Sequence, residues 1–264
     1  MMKQIQFSSR GETVYGYVHI PRVKIVDSAS AILLCHGFTG ACHETSRLYV
    51  HLANAAANQG FYVLRADFIG SGNSDADFAA YTHLSGWVED ILSAVTFLQV
   101  QPEVNPERIG LLGISFGAGA GMVAAGMDQR LKAVVGWAPV IDAEAVFRSI
   151  LGDAHWDALE TGRVKRIDCT YSGSKFSVTE RFVHDIQRLC IMDYVCRYRN
   201  TPLLLMQGDL DPVIHPCHAK MLVARAPFPV EYYTVSGEDH SFTVHEDENI
   251  QRAIHFFERV LCDK

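Results

Sequence analysis

One serine in the chain stands among glycines in a pattern typical of a catalytic nucleophile. Residues 113–117 read GISFG and match G-x-S-x-G, with Ser115 at the centre. The apolar run RIGLLGIS before it predicts a strand, and the run FGAGAGMVAAGM after it predicts a helix. In that context the serine occupies a strained turn that exposes its hydroxyl above a sheet. We predict that Ser115 is the nucleophile, and that Gly113 and Gly117 leave room for this turn. The alternative is a plain strand-to-helix turn in which the serine caps the helix.

A serine hydroxyl needs a base to take its proton and an acid to orient that base. On this type of turn the partners follow in the order Ser, Asp or Glu, then His. Asp211, in GDLDPVI after the predicted strand TPLLLMQG, is the predicted acid, whereas Asp209 is predicted to cap the turn. His240, in GEDHSF between the last predicted strand and the last helix, is the predicted base.

The negative charge that develops on a substrate carbonyl requires two N–H donors, an oxyanion hole. One donor is predicted to be the backbone N–H of Phe116, directly after the serine. The other is predicted to be the N–H of Phe38, in the loop HGFTG after the first buried strand. His36 opens that loop, and we interpret it as a structural residue rather than a base.

Other kinds of site have weaker support in the sequence. Residues 119–124 fit the dinucleotide pattern G-x-G-x-x-A, but they begin inside the predicted helix and no acidic residue ends the next strand. The cluster HPCH at 215–218 is rich in metal ligands but lacks a carboxylate or paired spacing. An aspartate nucleophile is disfavoured because Ser115 occupies that position. We therefore predict no metal and no cofactor, and a non-catalytic binding protein of the same fold stays as an alternative.

The elements that position these residues alternate between strand and helix from about residue 30 onward. Such alternation predicts an α/β fold with a mostly parallel, eight-stranded type of sheet and helices on both faces. The alternating runs KQIQFSS and TVYGYVHIP predict an antiparallel hairpin at the N-terminus. Residues 1–264 are predicted to form one domain. Residues 142–200 interrupt this alternation and contain no apolar run typical of a buried strand. We interpret them as a small helical cap.

Composition excludes several classes of partner. The net charge of −7 gives no basic face for nucleic acid. No apolar run approaches the length of a membrane span, and the N-terminus lacks the core of a signal peptide. Seven scattered cysteines do not suggest a disulfide framework. We predict a cytoplasmic protein that acts on a small molecule. The exposed edge of the N-terminal hairpin could pair with a second copy of the chain and form a homodimer.

Five motifs in order, HGFTG, ADFIGSGNSD, GISFG, GDLDPVI and GEDHSF, together resemble the α/β-hydrolase superfamily. The closest group is the carboxylesterases related to cinnamoyl/feruloyl esterases and serine aminopeptidase-like hydrolases. The resemblance covers the chain from residue 30 to the end. Esterases of this group often have polar or flexible residues on either side of the nucleophile, whereas this chain has Ile114 and Phe116.

The resemblance implies a serine hydrolase that cleaves a carboxylic ester of a small or medium acyl or aromatic substrate through an acyl-enzyme. Amide or thioester cleavage on the same residues is the alternative. Aromatic residues near the nucleophile and in the insertion are predicted to line an apolar substrate pocket. They are Phe38, Phe116, Trp156 and Phe176.

Overall fold

The computed structural model describes residues 1–21, 28–171 and 173–262. The strands are β1 Met2–Ser9, β2 Glu12–His19, β3 Ala29–Cys35, β4 Tyr62–Ala66, β5 Val104–Ile114, β6 Leu131–Trp137, β7 Arg166–Tyr171, β8 Ser174–Thr179, β9 Leu203–Gly208 and β10 Glu231–Val235. The helices are α1 Leu48–Asn58, α2 Phe78–Tyr81, α3 Leu84–Gln99, α4 Ser115–Met127, α5 Ala143–Leu151, α6 Asp153–Glu160, α7 Glu180–Arg188, α8 Ile191–Val195, α9 Cys217–Arg225 and α10 Glu246–Phe257. A 3₁₀ turn, Thr45–Arg47, precedes α1, and a π-helical turn, Glu258–Cys262, follows α10.

Eight strands form one sheet in the order β1-β2-β4-β3-β5-β6-β9-β10. β2 is antiparallel to both β1 and β4, and the remaining neighbours are parallel. The predicted runs KQIQFSS, TVYGYVHIP, RIGLLGIS and TPLLLMQG form β1, β2, β5 and β9. The predicted α/β fold and its N-terminal antiparallel hairpin are therefore confirmed.

Burial of the central strands explains their continuous apolar runs. Every residue of β3, β4 and β9 is buried, because helices cover the sheet on both faces. In contrast, β1 at the edge alternates between exposed and partly buried residues along most of its length. The carboxyl ends of the parallel strands meet at one rim of the sheet, where an open α/β sheet binds its ligands.

The insertion between β6 and β9 contains four helices, α5 to α8, and the antiparallel pair β7–β8. The predicted helical cap therefore also contains a pair of strands that the sequence analysis did not predict. β7 alternates strictly between exposed and partly buried residues, so it has no continuous apolar run to mark it as a strand. We call residues 143–195 the cap. Among the described residues, no helix is long and apolar enough to cross a membrane.

Candidate active site

Ser115 lies at the junction of β5 and α4 in a strained backbone conformation. Its φ of +56° is in the left-handed region, which residues other than glycine rarely adopt. A Cβ on Gly113 would lie 2.6 Å from the backbone nitrogen of Ala118, and one on Gly117 would overlap the carbonyl oxygen of His36. Glycine is thus needed at both positions, because the obstructing atoms belong to the backbone and cannot rotate away.

Two further glycines bring α4 close to its neighbours. A Cβ on Gly121 would overlap the side chain of Leu111 in β5, and one on Gly119 would lie 2.7 Å from the carbonyl oxygen of Val140. Gly121 thus lets α4 pack on the sheet, whereas Gly119 lets it approach the loop that follows β6.

Asp211 and His240, which are far apart in sequence, form a hydrogen-bonded pair. His240 Nδ1 lies 2.8 Å from Asp211 Oδ2. The other carboxylate oxygen accepts hydrogen bonds from the backbone N–H groups of Val213 and Ile214, each at 2.8 Å. Burial acts to raise the pKa of the Asp211 carboxyl, but His240 and these N–H donors hold it below its ordinary value. The carboxylate is therefore ionised and fixed in place.

Gln207, which the sequence analysis missed, also holds Asp211. Its Nε2 donates to Asp211 Oδ2 at 3.0 Å and to the carbonyl of Ile214 at 3.0 Å. Gln207 is fully buried in β9. A single polar residue in the apolar run LLLMQG was the available signal, because a buried amide requires hydrogen-bond partners.

The loop that carries His240 is fixed from both sides. Phe242 has a φ of +57° and its ring stacks on Trp137, with centroids 5.0 Å apart and the planes 7° from parallel. The buried carboxylate of Glu238 accepts hydrogen bonds from the backbone N–H groups of Val244 and His245. Asp209 accepts the N–H of Gly237 at 2.7 Å, so it joins its own loop to the histidine loop instead of capping its own turn.

The loop after β3 is held by a glutamate that the sequence analysis did not single out. Glu44 Oε1 accepts the backbone N–H of Gly37 at 2.5 Å, and the N–H of Gly40 closes a turn onto the carbonyl of Gly37. Glu44 itself has a φ of +55°. The N–H of Phe38 donates to no acceptor among the described residues. This donor is consequently free to bind a substrate atom.

His36 is buried and structural in this fold. Its Nε2 accepts the backbone N–H of Phe68 at 3.1 Å, and its Nδ1 lies 2.9 Å from the carbonyl oxygen of Gly37. A ring that accepts at Nε2 and donates at Nδ1 is neutral. Burial lowers the pKa of this imidazole, in agreement with the neutral form.

The profile of the prolyl oligopeptidase family matches residues 47–264, a stretch that includes Ser115, Asp211 and His240. The chain belongs to the prolyl oligopeptidase family. The α/β-hydrolase resemblance seen in the five motifs is thereby confirmed.

Solved structures with the same fold include a ferulic-acid complex of Est1E from Butyrivibrio proteoclasticus. It superposes with a TM-score of 0.85 at 23% identity, over 98% of this chain and 100% of that one. An acylaminoacyl peptidase from Pyrococcus horikoshii superposes with a TM-score of 0.77 at 18% identity, over 100% of this chain and 42% of that one. At these identities the likeness establishes the fold alone.

Curated relatives match a shorter part of this family member. The thiohydrolase apmlB of Arthrinium phaeospermum is 31% identical over 53% of this chain and 43% of its own length. An uncharacterized 31.7 kDa protein of Escherichia coli is 34% identical over 44% of this chain and 39% of its own length. The chain thus matches less than half the length of each.

In this prolyl oligopeptidase family member, Ser115 and His240 open onto the same cavity. Its volume is about 320 Å³, and we call it the serine cavity. Phe38, Glu44 and Asp239 also line it. A larger cavity of about 620 Å³ lies beside β10 and α10, but neither Ser115 nor His240 lines it. Chemistry, and not size, therefore identifies the serine cavity as the candidate active site.

A second space of about 240 Å³, the apolar cavity, also reaches Ser115 and His240. Its wall combines sheet-rim residues with cap residues. The rings of Phe147 and Phe176 lie 4.9 and 5.0 Å from the ring of Phe38, centroid to centroid. The prediction that Phe38 and Phe176 line an apolar pocket agrees with this wall.

Two of the predicted pocket residues do not reach these cavities. Trp156 is 0% exposed in α6 within the core, so its prediction as a lining residue is wrong. Phe116 is also 0% exposed and packs against Trp87 and Phe147, leaving only its backbone near Ser115. Complete burial of a large aromatic side chain stabilises the fold, and this stabilisation favours a place in the core over a place in the wall of a pocket.

The metal-ligand cluster at 215–218 is divided by the structure. His218 is buried and accepts the backbone N–H of Asp142, and burial lowers the pKa of its imidazole. His215 caps the next turn by accepting the N–H of Cys217. The described residues contain no group of three or more His, Cys, Asp or Glu arranged to hold a metal ion.

Proposed function

We propose that this chain is a serine hydrolase that cleaves a carboxylic ester through an acyl-enzyme. One observation carries the proposal: the hydroxyl-bearing Ser115 and the Asp211-bound imidazole of His240 line one cavity. The left-handed backbone of Ser115 adds support, because a serine at the start of an ordinary helix has no need of it.

Each residue has a defined role in the proposed reaction. Because Nδ1 of His240 faces Asp211, Nε2 is the nitrogen that accepts the proton of Ser115 as its oxygen attacks the carbonyl carbon. The ionised Asp211 stabilises the imidazolium that results. The protonated imidazole then gives its proton to the leaving oxygen, and water repeats the cycle on the acyl-enzyme.

The oxyanion formed by the attack requires N–H donors that are already oriented. We assign this role to the backbone N–H groups of Phe38 and Phe116. The free N–H of Phe38 supports this assignment, and Glu44 fixes the loop by its bond to Gly37. This chemistry is completed by the chain's own groups and uses no metal or cofactor.

The apolar cavity supports an apolar or aromatic acyl group as the part of the substrate next to Ser115. Its rings, Phe38, Phe147 and Phe176, meet edge to face, and an aromatic acyl group would extend that packing. A thioester is the second candidate, favoured by the likeness to a thiohydrolase. Both substrates use the same nucleophile and differ only in the leaving atom.

Replacement of the nucleophile tests the proposal. Ser115→Ala should lower kcat on a p-nitrophenyl ester by about 10⁴- to 10⁶-fold and abolish labelling by a fluorophosphonate. Ser174→Ala is the matched control, because Ser174 lines the same cavity but is exposed on the cap. If Ser115→Ala keeps most of the activity while folding normally, the proposal is wrong. A panel of oxygen esters, thioesters and amides with one acyl group then ranks the leaving atoms.

A further inference from the structure

A third cavity, of about 320 Å³, adjoins the serine cavity and takes no part in the reaction described above. It shares Thr39 and Gly40 with the serine cavity, and Phe176 with the apolar cavity. Its floor is the loop at residues 70–72, within the motif ADFIGSGNSD, and its outer wall is the β7–β8 hairpin of the cap. A group bound there would therefore sit next to the loop that carries Phe38.

The charged side chains that line this cavity are both cations, Arg166 and Lys175. Arg166 pairs with Asp77 at 2.7 Å and donates to Ser177 Oγ. Lys175 has no ion-pair partner within 4.0 Å among the residues that the structure describes. No carboxylate is among the described lining residues, although the chain as a whole has a net charge of −7. We call this space the basic cavity.

A buried hydroxyl at the wall of the basic cavity has no partner. Ser71 is 5% exposed, lines the cavity, and its Oγ makes no hydrogen bond within the described part of the chain. Buried polar atoms are nearly always hydrogen-bonded, so an unpaired one on a residue that lines the same cavity as two cations calls for an explanation. Thr39 adds one more hydroxyl group to the same wall, whereas the hydroxyl of Ser177 already donates to Asp168.

We propose that the basic cavity binds an anionic group, a phosphate or a carboxylate, on the leaving group of the substrate. This inference rests on the proposed function, because the leaving group is the part of the substrate that the apolar cavity does not hold. The serine cavity and the basic cavity differ in charge, and this difference would orient the substrate. Glu44 and Asp239 in the serine cavity repel an anion, whereas Lys175 attracts it. The hydroxyl groups of Ser71 and Thr39 supply neutral donors.

The proposal predicts a preference among three acetyl esters whose leaving groups are phenols that differ in the para substituent. They are phenyl acetate, 4-acetoxybenzoate and 4-acetoxyphenyl phosphate, which carry no charge, a carboxylate and a phosphate. We expect kcat/KM for at least one anionic ester to exceed that for phenyl acetate by about tenfold at low salt. Lys175→Gln should remove most of that preference and leave phenyl acetate hydrolysis unchanged.

Control variants separate the cavity from general surface charge. Lys165→Gln removes an exposed cation that is paired with Glu180 and does not line the cavity, so the preference should remain. Ser71→Ala should weaken the preference less than Lys175→Gln does, because it removes a neutral donor. Comparison of the phosphate and carboxylate esters identifies which anion fits better.

A binding measurement makes the inference independent of catalysis. Phenyl phosphate, titrated calorimetrically into Ser115→Ala protein, should bind about tenfold more tightly than it does to Ser115→Ala/Lys175→Gln protein. Binding without hydrolysis of any ester would overturn the proposed function and keep the anion site. Equal weak binding to both proteins, or an anionic preference that survives Lys175→Gln, would overturn the anion site alone.

Discussion

The rim of the sheet and the cap both border the cavities around Ser115, but they hold their residues by different means. At the rim, Gly113 and Gly117 allow backbone atoms to approach one another directly, and Asp211 is held by three donors besides His240. The cap packs around its own buried aromatic residues, such as Phe147 and Trp156. It also carries exposed charged pairs, such as those of Arg148 with Asp153 and Asp157.

This difference suggests that the rim and the cap have separate roles. Backbone contacts tolerate little change, so the rim keeps the reacting groups in one geometry. Exposed ion pairs contribute little free energy and are easily exchanged, so the cap can vary while the rim does not. We therefore expect substitutions at the rim to affect kcat or folding, and substitutions in the cap to affect substrate preference.

The largest effect is expected at the acid of the rim. Asp211→Asn should lower kcat by about 10⁴-fold, because the amide favours the wrong tautomer of His240 and does not stabilise its charged form. Steady-state kinetics on a p-nitrophenyl ester measure the change. Asp168→Asn, on the exposed face of the cap hairpin, is the control and should keep its rate. A kcat for Asp211→Asn within tenfold of the wild-type value would contradict the assignment.

A methyl group at the serine turn is expected to have the next largest effect. Gly117→Ala should lower the free energy of unfolding by about 3 kcal/mol, because its Cβ collides with the carbonyl oxygens of Cys35 and His36. Gly11→Ala is matched to it, since Gly11 has a φ of +80° but nothing within 4 Å of the added Cβ. That control should cost about 1 kcal/mol. Urea denaturation compares the two, and equal losses would show that crowding at the turn is unimportant.

A smaller effect is expected where the cap is joined to the core. Asp185 of α7 accepts the backbone N–H of Ser85 at 2.5 Å and its hydroxyl at 2.9 Å, at the start of α3. Asp185→Asn should lower the free energy of unfolding by about 1–2 kcal/mol at pH 7. Urea unfolding measures the loss, and a loss below about 0.3 kcal/mol would mean that other contacts hold the cap.

The pH dependence of that effect has a defined sign. Burial acts to raise the pKa of Asp185, but the hydrogen bonds of His83 and Ser85 leave it below its ordinary value. Such a carboxyl stabilises the fold above its unfolded pKa of about 3.9, and the stabilisation disappears as the pH falls through the folded value. The difference between Asp185→Asn and wild type should therefore shrink below about pH 4.

The smallest effect concerns the buried imidazole of His36. Burial lowers its folded pKa, so the unfolded chain takes up this proton more readily than the folded chain as the pH falls. Stability should therefore fall by up to about 0.7 kcal/mol through His36 between pH 7 and pH 6. His36→Gln should flatten this part of the profile. A slope unchanged by the substitution would mean that His36 titrates equally in both states.

The rim was largely predictable from the sequence, and particular residues show why. Buried strands in β3, β5 and β9 are continuous apolar runs, and Ser115, Asp211 and His240 each follow a strand in a recognisable motif. Their catalytic roles stay a prediction. Glu44 and Gln207 escaped notice because their contacts depend on loops and strands that meet only in the fold.

The cap was less predictable for a different physical reason. β7 and β8 lie at the surface, so their charged and polar residues conceal the strand pattern. Trp156 was predicted as a pocket residue because a sequence cannot tell which face of a short helix meets the core. In the structure Trp156 is fully buried, and its helix α6 packs against α5 and α7.

The three tryptophans of the chain are divided between these two regions, and all are fully buried. Trp87 contacts His36 and Trp137 stacks on Phe242, whereas Trp156 lies in the cap. Each indole N–H lacks a hydrogen-bond partner among the described residues. These tryptophans can therefore serve as fluorescent probes without an attached dye. A variant that keeps only Trp156 would report on the cap, and a variant that keeps only Trp137 would report on the histidine loop.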